Sequence, residues 1–369
     1  MSEIDIRRLA EDRIVREIEA AFATQRFAAA EALAEELVTL RERAFGAEHP
    51  EVANALVDLA EALRAQAKLV PAAAALLRAL DIDTKTYGER HERVGEGLHR
   101  LAHVQLLASN YDDAETLFAR SVDALFASAG DDDPRLGVAL SGLAAARVRL
   151  GDRDGAAAAL ERALQCFALA HGPEAQSMID PLEALASVRE ASGDYIDAMT
   201  LRRRAVRILE KNDHPRLAAA LCALVKSAIG AKDFTLAEAA ATRALDARPT
   251  MGEERAQVHE LLGEVRESTG RTLLAREDYR RALAIYQDVL PASHPQIAVA
   301  LMNVATMDLQ LGEIDRGDAL ARQALAIFLD RFGPEHPHTQ GMREAFKRAY
   351  EHAGHGERAS ELDSMGTRQ

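Results

Sequence analysis

One interval constrains this chain more than any other feature: a glycine recurs every 42 residues along its first half. These glycines are Gly46, Gly88, Gly130 and Gly172. The phrase FGAEHP at 45–50 also returns as FGPEHP at 332–337, so both copies mark repeat boundaries. A period between about 20 and 50 residues is typical of solenoids and propellers, in which each repeat packs mainly against its neighbours.

Two further landmarks divide each repeat into two helices. An apolar residue follows each boundary glycine by 13 positions, and a small residue follows it by 13 more, with breakers such as LGDRDGA (150–156) between them. Two repeats are shortened to 39 and 38 residues, so we expect clipped second helices or connections at 209–217 and 246–254. The apolar landmarks are Leu59, Leu101, Leu143, Leu185, Leu224, Leu262, Val304 and Phe346.

This pattern resembles the tetratricopeptide repeat (TPR), in the 42-residue variety found in kinesin light chains. The segments 293–328 and 133–167 match it best. The resemblance implies an all-α, right-handed superhelical solenoid of about eight helix-turn-helix units. We expect an N-terminal capping helix pair at 1–44, seven units over 45–331, and a degenerate capping unit with a frayed tail at 332–369.

Composition excludes several classes of partner. Net charge is -14 and the isoelectric point about 5.4, which opposes general binding to nucleic acid or to anionic membranes. No apolar run is long enough to span a membrane, the N-terminus does not look like a signal peptide, and two cysteines form no disulfide framework. We therefore expect a cytoplasmic protein with no nucleic-acid or membrane partner.

The sequence contains no glycine-rich phosphate loop, nucleophile elbow or kinase signature, so we expect no enzyme, no catalytic residue and no cofactor. One cluster has metal-ligand chemistry: Glu96, His99 and His103 share a helix face at i, i+3 and i+7. HRLAH lacks the glutamate that follows the first histidine in zinc proteases. Polar lining of a groove is the favoured interpretation and a metal ion the alternative.

In proteins that this chain resembles, the residues 5 and 2 before, and 2 and 5 after, each apolar landmark line a concave groove. We refer to these as the groove positions. Their charged members are eight acids and two bases, Arg64 and Lys226. The carboxylate clamp of chaperone-binding relatives would need bases at these positions instead. The candidate partner-binding residues are Asn54, Glu61, Glu96, His99, His103, Asp180, Glu183, Glu190, Lys226, Glu260, Glu264, Glu267, Met302 and Thr306.

These features predict a non-catalytic scaffold or adaptor that holds a protein segment in its groove. The alternative is a regulatory sensor, in which a peptide or small molecule changes the curvature of the solenoid. Glu260, Glu264 and Glu267 share one helix face and repel one another, so the fold should gain nothing from them. We expect this face to receive a Lys/Arg-bearing segment, with Met302 taking an apolar anchor; the alternative is a merely solvated face.

Overall fold

The computed structural model describes residues 3–247 and 252–363, and helices are the only regular elements in these two ranges. Packing divides the chain into two compact units, Met1–Ser192 and Gly193–Gln369. Within the described chain, no helix combines the length and the apolar character needed to cross a membrane.

The first unit stacks nine α-helices, each packed against its neighbours in sequence, with a short 3-10 turn at Gln176–Met178. The helices are α1 (Glu3–Ala23), α2 (Phe27–Phe45), α3 (Pro50–Ala65), α4 (Leu69–Tyr87), α5 (Glu92–Leu107), α6 (Tyr111–Ala129), α7 (Pro134–Leu150), α8 (Arg153–His171) and α9 (Ile179–Ala191).

The second unit repeats this arrangement with nine further helices in its described part. They are α10 (Tyr195–Lys211), α11 (Leu217–Gly230), α12 (Phe234–Asp246), α13 (Gly252–Ser268), α14 (Thr272–Val289), α15 (Pro295–Gln310), α16 (Ile314–Phe332), α17 (Pro337–His352) and α18 (Gly356–Asp363).

Small residues allow the paired helices to approach closely. Ala163 and its counterparts at the small-residue landmarks are fully buried between helices. A Cβ atom added to Gly142 would lie 2.3 Å from the Phe118 ring, and one added to Gly263 would lie 2.5 Å from the Tyr279 ring. Both units therefore seat a second-helix aromatic ring on a first-helix glycine, a packing arrangement that tolerates no added volume.

The boundary phrase closes one repeat and starts the next. Gly46 ends α2 at a φ of 90°, in the left-handed region where glycine is favoured. His49 then caps α3, because its Nδ1 accepts the backbone N–H of Glu51 at 3.2 Å. Its ring also stacks on Phe45 with the centroids 4.7 Å apart. This double contact explains a histidine where Ser or Asp is the usual cap, and it recurs at His91 and His336.

The predicted shortening of two repeats is confirmed in their second helices. Helices α4, α6, α8 and α16 have 19 residues each, whereas α10 has 17 and α12 has 13. The segment 209–217 contains the end of α10, a turn and the start of α11, with no strand. Of the second predicted segment, residues 248–251 lie outside the described part of the chain.

Candidate partner-binding surfaces

In the first unit, arginines neutralise most of the early groove positions. Arg64 binds the Glu61 carboxylate at 2.7 Å, and Arg135 binds the Glu96 carboxylate at 2.7 Å. Arg93 donates to the Asn54 side-chain oxygen at 2.6 Å. The three predicted residues are therefore held in polar networks, and the acidic excess counted from the groove positions is offset here.

Arg93 and Arg135 were missed by the sequence reasoning, although they obey the repeat. Each stands eight residues before the landmark leucine of its own first helix, and each reaches back 39 residues to a groove position of the preceding repeat. Gln296 occupies the same position of α15 and donates to Glu260 at 3.3 Å. The signal was present in the sequence, but it joins two repeats rather than lying on one helix.

The histidine pair of α5 is partly buried and is not part of a metal centre in the described chain. His99 packs edge-on against Phe118 with the centroids 5.4 Å apart, and its buried Nδ1 has no hydrogen-bond partner. Burial, reinforced by His103, lowers the pKa of His99 to about 4. Burial also lowers the pKa of His103. Among the described residues, no three His, Cys, Asp or Glu side chains are grouped to hold a metal ion.

The other acids predicted in the first unit lie on α9. Asp180 is exposed, whereas Glu183 and Glu190 are half-buried. Ser187, which lies between them, donates its hydroxyl to the backbone oxygen of Glu183 at 3.0 Å.

In the second unit, tyrosines hold the glutamates of α13. Tyr286 of α14 donates its hydroxyl to Glu260 at 2.9 Å, and Tyr279 donates to Glu267 at 2.8 Å. The expectation that the fold gains nothing from these acids was therefore wrong for Glu260 and Glu267. Hydrogen bonds to a carboxylate stabilise it, and they fix both side chains against α14. Glu264 remains the exposed member of the three.

The acids of α13 carry charge that their neighbours offset only weakly. Burial raises the pKa of Glu260, and Glu264 raises it further, while the hydrogen bonds from Tyr286 and Gln296 act in the opposite direction. Crowding by the neighbouring helices and repulsion by Glu267 raise the pKa of Glu264. Lys226 of α11 is the cation that opposes both shifts.

Arg266, also on α13, is engaged by other carboxylates. It pairs with the buried Asp278 of α14 and lies 3.4 Å from Glu238 of α12. Arg266 is therefore held in a structural ion-pair network, and the face formed by Glu260, Glu264 and Glu267 is supported by neutral donors. We call these three residues the α13 acidic face.

The two remaining predicted residues lie on α15. Met302 is half-buried and packs against the apolar core of the second unit. Thr306 donates its hydroxyl to the Met302 backbone oxygen at 2.9 Å, one helical turn earlier. An unbranched thioether at a partly exposed position adapts well to an apolar side chain of a partner.

Stacked helix pairs with variable polar residues at recurring positions define a repeat fold of the protein-interaction class. The tetratricopeptide repeat model matches residues 18–85, 93–168 and 254–330, which together exceed half of the chain. The chain therefore belongs to the tetratricopeptide repeat family. No curated protein has a significant sequence match to it.

Solved structures share the fold at low sequence identity. BtubC (BKLC) from P. vanneervenii is 18% identical with a TM-score of 0.54, covering 60% of this chain and 91% of its own. The C-terminal part of a TPR repeat-containing protein from Cytophaga hutchinsonii is 12% identical with a TM-score of 0.55, covering 77% and 97%. A putative kinesin light chain from Podosopora anserina is 21% identical with a TM-score of 0.49, covering 57% and 98%.

Proposed function

We propose that this protein is a non-catalytic, cytoplasmic scaffold that binds a Lys/Arg-bearing segment of a partner protein at the α13 acidic face. TPR proteins bind protein or peptide partners, which supports the scaffold role. The observation that carries the finer proposal is the environment of the three glutamates. Their hydrogen-bond donors are neutral tyrosine and glutamine side chains, so their charge persists at the surface.

A basic segment would satisfy what the fold leaves open. Glu260 has one carboxylate oxygen, Oε1, that is buried without a hydrogen-bond partner in the described structure. A lysine or arginine of the partner can donate to that oxygen and to Glu264, and Met302 can take an adjoining apolar side chain. Unpaired buried polar atoms are costly, so their satisfaction favours the complex.

The test uses the exposed Glu264, because reversal of Glu260 or Glu267 would also break a tyrosine hydrogen bond. The full chain, Glu264→Lys and a matched control are immobilised, and proteins captured from a lysate of the native cells are identified by mass spectrometry. Asp288→Lys is the control, since Asp288 is exposed on α14 outside the groove positions. The affinity of each captured partner is then measured at low and high salt.

We expect a partner that Asp288→Lys retains and that Glu264→Lys binds about tenfold more weakly or worse. Its affinity should fall as salt rises, because the attraction is electrostatic and partly exposed. Partners that bind Glu264→Lys as tightly as the wild type would contradict the proposal and leave the α13 acidic face as a solvated surface.

A further inference from the structure

The largest cavity of the first unit differs in chemistry from the α13 acidic face. It has a volume of about 750 Å³ and lies among α5, α7 and α9, next to the turns that lead into α6 and α8. Cavities of about 300–1,000 Å³ are typical of ligand-binding pockets. We call it the α7 pocket.

The walls of the α7 pocket are apolar and its floor consists of small residues. Leu107 and Val148 stand at its walls with 48% and 46% of their surfaces exposed. Ala145, Ala184 and Ser187 line the floor and are exposed as well. Short side chains on one side and uncovered apolar side chains on the other leave a space suited to the side chains of a partner.

The repeat register shows why the pocket forms here. Ala145 and Val148 are the groove positions 2 and 5 after the landmark of α7, and Ser187 is the equivalent of Ala145 on α9. The same two positions of α13 hold Glu264 and Glu267. Small and apolar residues at these positions thus open a pocket in the first unit, where glutamates form the acidic face in the second.

Charge at the pocket is positive, although the chain is strongly acidic. Its lining includes Arg149 and Arg153 and no Asp or Glu. Arg149 donates to the Tyr111 hydroxyl at 2.6 Å, and its guanidinium carbon lies 5.0 Å from the centre of that ring, so it is held in place. Arg153 is exposed, and within the described chain its side chain has no hydrogen bond or ion pair.

We infer that the α7 pocket is a second docking site, which binds a partner segment carrying apolar side chains next to an Asp or Glu. The apolar side chains enter between Leu107 and Val148, and the carboxylate pairs with Arg153 and with the fixed guanidinium of Arg149. The charge complementarity selects an acidic segment, opposite to the basic segment proposed for α13. This inference goes beyond the proposed function and does not depend on it.

The test selects peptides rather than assuming a natural partner. A phage-displayed library of random peptides is panned on the full chain, and enriched peptides are synthesised and titrated against variants. Val148→Asp places an acid in the pocket, and Arg153→Glu reverses the free charge. Val70→Asp and Arg90→Glu are the matched controls, because both residues are exposed away from the pocket, Val70 at 83%. Circular dichroism checks that each variant retains its helices.

We expect enriched peptides that combine apolar residues with Asp or Glu. Val148→Asp and Arg153→Glu should each weaken their binding about tenfold or more, and the two controls should not change it. Glu264→Lys should also leave it unchanged, which separates this site from the α13 acidic face. Enriched peptides that are basic or purely apolar, that bind all variants equally, or a selection with no enrichment, would overturn the inference.

Discussion

The two units of this protein use the same repeat to opposite ends. In the first unit, Arg135 reaches back from the next repeat and neutralises Glu96. In the second, the equivalent residue is Gln296, which donates a hydrogen bond to Glu260 without adding charge. Groove chemistry therefore depends on a residue one repeat further along, not only on the helix that carries the acid.

Packing explains why the repeat allows this freedom. The landmark leucines and alanines are buried and shared by both units, whereas the groove positions are at least partly accessible in most repeats. Substitution at an accessible position costs the fold little, so Ala145 and Glu264 can occupy the same place in the register. The fold is common to both units, and the binding chemistry belongs to each.

The largest expected effect tests the shared part of this comparison. Gly142→Leu in the first unit and Gly263→Leu in the second should each destabilise the protein by about 3 kcal/mol or more, because Phe118 and Tyr279 occupy the space. Gly341→Leu is the control, since nothing lies within 4 Å of its added Cβ atom. Chemical denaturation of the three variants provides the measurement.

A large loss for only one of the two glycines would break the claim that both units pack alike. Gly341→Leu should be neutral or mildly stabilising, because leucine is a better helix former than glycine. A loss for Gly341→Leu as large as for the other two would show that the effect comes from the backbone rather than from overpacking.

A smaller effect concerns pH and the first unit. The pKa of His99 is about 4 in the folded protein and about 6.5 in an unfolded chain. Its unfolded form therefore binds the proton first on acidification. The stability contributed by the neutral side chain is complete above pH 6.5 and is lost as pH falls toward 4. Stability measured across this range should fall by about 2 kcal/mol more for the wild type than for His99→Asn.

The comparison with His99→Asn is needed because other groups titrate nearby. Burial raises the pKa of Asp58 and of Asp83 in the same unit, and these shifts act in the opposite direction. Both groups are present in each protein, so the difference isolates His99. Parallel pH profiles for the two proteins would contradict the assigned burial of the imidazole.

Much of the fold could be predicted from the sequence because the repeat is written in residues that pack. The interval of 42 residues located the helices, and the 39- and 38-residue steps located the shortened second helices. The histidine caps were beyond that reasoning, since the stacking of His49 on Phe45 needs the geometry of the turn. The division after Ser192 was not predicted either, because no linker composition marks it.

The candidate site was less predictable, because its contacts join separate elements. Reasoning on first helices alone identified Glu260 and Glu267 but not the tyrosines of α14 that hold them. The α7 pocket depends on small residues of several helices, and absent bulk has no local signature in a sequence. Its groove positions could be listed in advance, but their joint shape could not.

A still smaller effect sharpens the contrast in how the acids are supported. Tyr286→Phe removes one hydrogen bond to the Glu260 carboxylate and should cost about 1–2 kcal/mol at neutral pH. Because that bond favours the ionised acid, the loss should shrink as pH falls through the pKa of Glu260, which burial raises. Denaturation at neutral and acidic pH measures it. Tyr195→Phe, at an exposed position, is the control, and an equal loss in both variants would contradict the assigned bond.

The smallest effect concerns the turn inside each repeat. Ala67 in the first unit has a φ of 58°, and Gly270 at the equivalent turn of the second has a φ of 73°. Ala67→Gly should therefore stabilise the protein by about 0.5–1 kcal/mol, and Gly270→Ala should destabilise it by a similar amount. Thermal unfolding measures both changes, and shifts of the same sign would contradict equivalent turns.

The central claim is that one repeat register carries two opposite binding chemistries. Hydrogen–deuterium exchange of the full chain, with two synthetic peptides that share one apolar sequence and differ only in Lys or Glu, tests it most directly. The Lys peptide should slow exchange in α13 and α15, and the Glu peptide should slow exchange in α7 and α9. The same footprint for both peptides, or no protection from either, would contradict the account.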